Sequence, residues 1–403
     1  MTTTRRDFFR TTLRGSSLIA LAPTVPGFLA RTARAAAPEA EGRVLVVVQL
    51  DGGNDGINTV VPFADEGYAR HRKQLRLPAK ELLKIDDRLA LHPQMRDAAK
   101  LLETGRLAVV PGVGYPNPNR SHFESMAIWH SARLAPEDRN GPGWLGRGLD
   151  EVSKPGVERA SSLFVGPGTL PVAVRGRRSV ASSLERLDEM TLDPSARPSR
   201  LAAPGAEGDD LAAYVRRSTL DAYASADRIA GLARGGDASA RYPSGELADR
   251  LRLVARLLKA GHGARVYYTV QSGYDTHSGQ LFPHANLVGE LSAALKAFLD
   301  DLAASKLADR VLVLGFSEFG RRVAENGSAG TDHGTSGPVF LAGPSVRPGP
   351  QGSYPSLTDL EDGDLATPTE FRRVYATLLQ DWLRLPSERA LGGIFAPLPL
   401  VRS

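Results

Sequence analysis

The sequence predicts an α/β fold: an open, mostly parallel central sheet flanked by helices. Three observations carry this. Four runs, Arg43–Leu50, Leu107–Val113, Ala264–Val270 and Arg310–Phe316, are almost continuously apolar and rich in Val, Leu and Tyr. Strands of that kind are ordinarily covered on both faces by helices. Helical stripes alternate with them, the arrangement that builds a parallel sheet. Each strong strand also runs out into a polar cluster of chemically capable side chains, and open α/β sheets bind ligands at the carboxyl ends of their strands.

Along the chain, the first strand is Arg43–Leu50 and the second Leu107–Val113. Residues 141–245 are rich in Gly, Pro, Arg and Ser with weak strand signals, and read as an insertion or cap over the sheet. One helix is expected inside that stretch, with Leu211, Val215, Ala222, Ala226 and Ile229 on one side. Leu247, Leu251, Val254 and Leu258 then share one helical face, as do Leu287, Leu291, Ala294, Phe298 and Leu302. Strands follow at Arg310–Phe316 and Val339–Ala342. Near the C-terminus, Thr367, Pro368 and Glu370 read as an N-cap, an N1 proline and an N3 acid, leading into the stripe Phe371, Val374, Tyr375, Leu378 and Trp382.

The N-terminus reads as a twin-arginine secretion leader over residues 1–35. Arg5, Arg6, Phe8 and Phe9 form its charged core, Ser17–Ala30 its apolar stretch, and Ala33-Arg34-Ala35 a small-residue cleavage site. The paired arginines select a twin-arginine export route. A membrane anchor is the poorer reading, because a span needs about 20 apolar residues and this run has 14 with Pro23 and Pro26 inside it. Residues 36–403 are then one exported domain, periplasmic or extracellular. The leader holds six arginines and one acid, so the chain's 50 basic and 45 acidic residues leave 44 of each in the mature part. A neutral mature protein has no general attraction for nucleic acid. The absence of cysteine excludes disulfides, thiolate metal sites and cysteine nucleophiles. A metal would need His, Asp, Glu or Asn.

The strand-end clusters are Asp51-Gly52-Gly53-Asn54-Asp55, Arg120-Ser121-His122, Tyr274-Asp275-Thr276-His277, Ser317-Glu318-Phe319-Gly320-Arg321 and Thr331-Asp332-His333-Gly334. The first lacks the glycine spacing of a dinucleotide loop, and its acids repel pyrophosphate but suit cations. A tight turn with Asp51 capping a helix is the plain alternative. Asp275 and His277, two apart in an extended segment, point the same way, and their oxygen–imidazole pairing suits zinc, manganese or iron. Glu318 is either a ligand or a helix-start acid. Ser121 is either an ordinary N-cap or a nucleophile at a helix N-terminus. His122 is a metal ligand, a base or a donor behind the ligands. His71, His92, His130, His262 and His284 read as surface or core residues.

Taken together, the leader, LDGGNDGINTVVP, RSHFES, YDTHSGQ, FSEFGRR and GTDHGTSGPVFLAG resemble the exported bacterial family called domain of unknown function 1501, over nearly the whole mature chain. That family is similar to the alkaline phosphatase and sulfatase superfamily. The resemblance implies an alkaline-phosphatase-like sheet and one or two divalent metal ions, zinc, manganese or similar. It places Asp51 as a metal-bridging acid, Ser121 as nucleophile with His122 beside it, and Asp275, His277, Glu318, Asp332 and His333 around the metal. Arg120 or Arg321 would clamp an anionic ester. Phe319 stands where the superfamily commonly has a histidine. Formylglycine chemistry is not expected, since Ala196-Arg197-Pro198-Ser199-Arg200 begins with alanine. The implied function is a metal-dependent hydrolase of phosphate, phosphonate or sulfate esters. The alternative is a catalytically degenerate relative that binds an anionic glycan or envelope partner. The acids in the first loop disfavour a Rossmann-type oxidoreductase.

Overall fold

The computed structural model describes residues 42–153, 161–185 and 241–402. The leader, the helix around Leu211–Ile229 and Ala196–Arg200 lie outside the described residues. No helix among the described residues is long and apolar enough to cross a membrane.

The main sheet contains β1 (Val44–Asp51), β2 (Leu107–Gly114), β3 (Ser161–Val165), β4 (Val180–Leu184), β5 (Val266–Ser272), β6 (Val311–Phe316) and β7 (Gly337–Ala342). Their spatial order is β2-β7-β6-β1-β5-β3-β4. β1, β3, β4, β5 and β6 pair in parallel; β7 runs antiparallel to both β2 and β6. The five predicted strands are therefore β1, β2, β5, β6 and β7. β3 and β4, drawn from the stretch expected to be an insertion or cap, extend the sheet at one edge.

Alternation along β1 divides the core. Val44, Val46, Val48 and Leu50 face one layer, and Leu45 and Val47 the other. The first layer is built from α1 (Arg96–Glu103), α4 (Glu246–Lys259) and α5 (Leu281–Ala304); the second from α2 (His122–Ser131), α3 (Trp144–Asp150) and α6 (Phe371–Thr377). The two predicted stripes on α4 and α5 pack against the first face through Leu251, Val254, Leu291 and Phe298. Trp129, Trp144 and Tyr375 fill the second, Trp144 stacked on Tyr375 at 3.7 Å between centroids.

The C-terminal helix starts later than its cap signal implies. Thr369 and Glu370 pair in parallel with Val113 and Gly114, so the chain stays extended and Glu370 is the N-cap. Pro368 instead packs where a side chain on Gly112 would stand.

Behind the first strand-end loop lies a buried ion pair. Asp55 caps the short helix Gly56–Thr59 and accepts both terminal nitrogens of Arg72, at 2.5 and 3.0 Å, with both side chains fully buried. Arg72 also donates to the carbonyls of Val323 and Arg322. Burial alone would raise the Asp55 pKa; Arg72 outweighs it and leaves the carboxyl below its usual range. Removing one member strands a buried charge, so Arg72→Ala is expected to cost about 3–5 kcal/mol in denaturant unfolding. The Asp55 contribution is fully present above the unfolded carboxylate pKa and is lost as pH falls through the lower folded value. A midpoint shift below about 1 kcal/mol would show that this pair does not anchor the loop.

Candidate metal centre

Register aligns the strand ends. Asp51 lies opposite Ser272, and Gln49 opposite Phe316, so the loops after β1, β5 and β6 leave one rim of the sheet together. β7 starts on the same rim, with Gly337 opposite Val113 near the end of β2. The loops then press together. At Gly52 (φ +116°) a Cβ would meet the Asp275 nitrogen at 2.5 Å, and at Gly53 (φ +78°) the Phe319 ring at 2.3 Å. Only glycine satisfies both the backbone and the space.

Arg321 ties these loops. Its side chain is fully buried. Nε donates to Gly53 O (2.7 Å) and Nη1 to Thr331 O (2.8 Å), while Nη2 reaches Gly52 O, Tyr274 O (3.0 Å) and Asp275 Oδ1 (2.7 Å). A side chain expected to clamp substrate therefore has its donors engaged inside the protein.

Around this arginine three imidazoles converge. Nδ1 of His122 sits 2.8 Å from Glu318 Oε1, Nδ1 of His333 2.7 Å from Arg120 O, and Nδ1 of His277 3.2 Å from Asp332 Oδ1. Carboxylate and carbonyl oxygens only accept, so each Nδ1 carries the proton and each neutral ring turns an Nε2 lone pair inward. The Nε2 atoms of His277 and His333 lie 2.9 Å apart, at 3.0 and 3.2 Å from Asp275 Oδ1. His122 Nε2 lies 3.5 Å from Asp275 Oδ2 and is buried without a hydrogen-bond partner.

This donor set fits a cation. Ligand atoms of His122, Asp275 and His333 lie within 4.8 Å of one another, and His277 stands beside the last two. The 2.9–3.5 Å separations bracket the roughly 3.3 Å edge of a tetrahedron with metal–ligand distances near 2.0–2.1 Å. Facing lone pairs and an orphaned buried nitrogen are what an ion would satisfy. Oxygens behind each imidazole are the usual means of fixing tautomer and ring orientation at a metal.

The electrostatics suit the same role. The hydrogen bond to Glu318 raises the His122 pKa, opposed by burial and assisted by the charges of Glu318 and Asp275. Burial lowers that of His333, against its hydrogen bond to Arg120 O and the nearby Asp275 carboxylate. Asp275 would be raised by burial, but the hydrogen bond from Arg321 and the neighbouring imidazoles of His333 and His122 bring it to about 2.

The remaining candidates stand around this cluster. Glu318 is buried, one oxygen on His122 and on Gly52 N (2.9 Å), the other accepting from Ser317. Asp332 lies behind His277. Asp51 sits to one side, bonded to Gln49 Nε2 at 3.1 Å, its pKa raised by burial and by Glu318. Ser121 occupies the N-cap of α2 but makes no side-chain capping bond, so the helix does not use its hydroxyl. Arg120, half-exposed, pairs with buried Asp364. Phe319 packs between His122 and His333, with centroids at 4.9 and 4.7 Å, and offers no donor. Sequence reasoning missed Gln280, whose amide accepts from Thr276 (3.1 Å) and Thr331 (2.5 Å) and donates to Asp55. Its adjacency to the YDTHSG loop was the available signal.

A family model described as "Protein of unknown function (DUF1501)" matches residues 43–383. The chain belongs to this family. No curated protein matches the sequence. Solved structures similar to this DUF1501 chain include the C-terminal periplasmic domain of EcEptC from Escherichia coli in complex with Zn (8% identity, 86% of this chain and 83% of that one, TM-score 0.41). Two others are the PsFucS1 sulfatase from Pseudoalteromonas sp. (11%, 94% and 78%, TM-score 0.39) and a murine ectonucleotide pyrophosphatase/phosphodiesterase 5 in complex with AMP (11%, 86% and 96%, TM-score 0.40).

Because metal ligation needs a neutral imidazole, the zinc affinity of the DUF1501 protein is expected to fall as pH drops through the raised His122 pKa. Glu318→Gln keeps an acceptor but removes the charge. It should weaken zinc binding about 10–100-fold and move that pH midpoint to lower pH, read by competition with a chromophoric chelator. Unchanged affinity with an unmoved midpoint would detach Glu318 from the centre.

Proposed function

We propose that this is an exported metal-dependent hydrolase of phosphate, phosphonate or sulfate esters, delivered by the twin-arginine route through residues 1–35. The observation that supports it is the grouping of His122 and His333 with Asp275, with His277 Nε2 beside the last two and each ring held from behind by an oxygen. A divalent ion held by these residues would supply Lewis acidity to an ester oxygen.

The chain's own residues divide the remaining work. Ser121, adjacent to His122 at the start of α2, carries a hydroxyl that the helix does not use and is the candidate nucleophile. Its attack on phosphorus or sulfur breaks the bond to the alcohol oxygen, and water then releases the acid. Arg120 is the arginine placed to meet the anion: it is half-exposed, and its carbonyl fixes His333. Arg321 orients Asp275 from beneath.

One observation favours a second reading, a binding protein that retains a single ion. Phe319, which stands where the resemblance implies a histidine, packs against His122 and His333 and offers no ligand atom.

Both readings are tested on the mature protein reconstituted with zinc or manganese and assayed on nitrophenyl phosphate and sulfate. Asp275→Ala and His277→Ala are each expected to lower metal content and to reduce turnover at least about 100-fold. Metal binding without turnover on a broad ester panel supports the binding protein. No bound metal, or turnover unaffected by either change, overturns the hydrolase.

A further inference from the structure

A cavity of about 370 Å³ opens beside the metal centre, over the carboxyl ends of β1, β5 and β3. Its volume lies in the range of small-molecule sites. Asp51 lines it, its carbonyl accepts from Tyr274 N, and the next nitrogen, Gly52 N, donates to Glu318 Oε1, so cavity and centre adjoin through the end of β1.

The lining is mixed. Phe164 and Leu170 supply apolar surface, and Gln49 and His130 supply polar groups. The Gln49 amide is oriented: Oε1 accepts from Tyr268 at 2.5 Å and lies 3.1 Å from His130 Nε2, while Nε2 faces Asp51. The cavity also carries two arginines in different states. Arg250 is paired with Glu246 at 2.6 Å and donates to Val270 O. Arg175 is exposed; its Nε (2.9 Å) and Nη2 both donate to the Leu170 carbonyl, its Nη1 side is left for a ligand, and among the described residues no carboxylate pairs with it. The acid stands at the end shared with the centre, and an uncompensated guanidinium stands on the open wall.

We propose that this cavity is the subsite for the alcohol portion of the ester, taking a polyhydroxylated ring of monosaccharide size that bears a second anionic group engaged by Arg175. A ring with C–H faces and hydroxyl edges meets both the apolar wall and the oriented amide. The anion meets the Nη1/Nη2 side of Arg175, which has no carboxylate partner among the described residues and suits a two-oxygen acceptor. This assignment of the alcohol rests on the hydrolase reading; binding to the cavity needs no turnover.

The test is titration calorimetry on the chelator-treated full mature chain with glucuronate and glucose. Glucuronate is expected to bind at least about tenfold more tightly than glucose. Arg175→Ala should abolish that preference and Arg175→Lys should retain much of it. His277→Ala, which disables the metal centre, should bind both sugars as the parent does. Equal binding of the two sugars, no binding of either, or an Arg175→Ala protein that behaves like the parent overturns the subsite. Ester turnover with no glucuronate preference overturns the subsite and leaves the hydrolase standing. Glucuronate preference with no turnover on any ester overturns the hydrolase alone.

Discussion

The centre depends on one buried guanidinium. Arg321 lies below the rim with no exposed side-chain surface and holds the loops after β1 and β5, the Thr331 segment and Asp275 by a single planar fork. A buried cation is tolerable only when its donors are met. Here that requirement and the site's geometry are one constraint: the carbonyls of Gly52, Gly53, Tyr274 and Thr331 must converge for Arg321 to be buried. Their convergence places Asp275 beside the histidines.

A second network lies one step further in. Gln280 joins the residue between Asp275 and His277 to the segment that leads into His333, and passes through Asp55 to Arg72. These are buried polar groups in a low-dielectric interior, where an unmet partner is costly, so the loops have little freedom to move separately. Rigidity of this kind keeps the imidazoles and Asp275 in one arrangement. Each ring is also constrained from outside by an acceptor-only oxygen, which selects the tautomer.

The cavity beside the centre has the opposite character. Its wall combines apolar side chains, the Gln49 amide, Arg250 and the exposed Arg175. β3, at the extended edge of the sheet, supplies part of this wall through Phe164.

Much of the fold was legible along the chain. The apolar runs of β1, β2, β5, β6 and β7 and the stripes of α4 and α5 were readable because both depend on local periodicity, and the zero cysteine count fixed the available ligand chemistry. β3 and β4 were not, because their short, Ser-containing segments become strands only by pairing beside β5. The same held for Thr369 and Glu370, where a cap signal gave way to pairing with β2. At the site, the sequence singled out Asp275, His277 and His333, since acid–imidazole spacing is a local pattern. It could not say that Glu318 and Asp332 stand behind imidazoles, that Arg321 points inward, or that His122 turns its Nε2 toward Asp275. Sequence determines which donors exist and which strand each one follows; only tertiary packing decides which of two atoms on a ring, or which face of a guanidinium, meets which neighbour, because those choices are made by residues up to some 270 positions away.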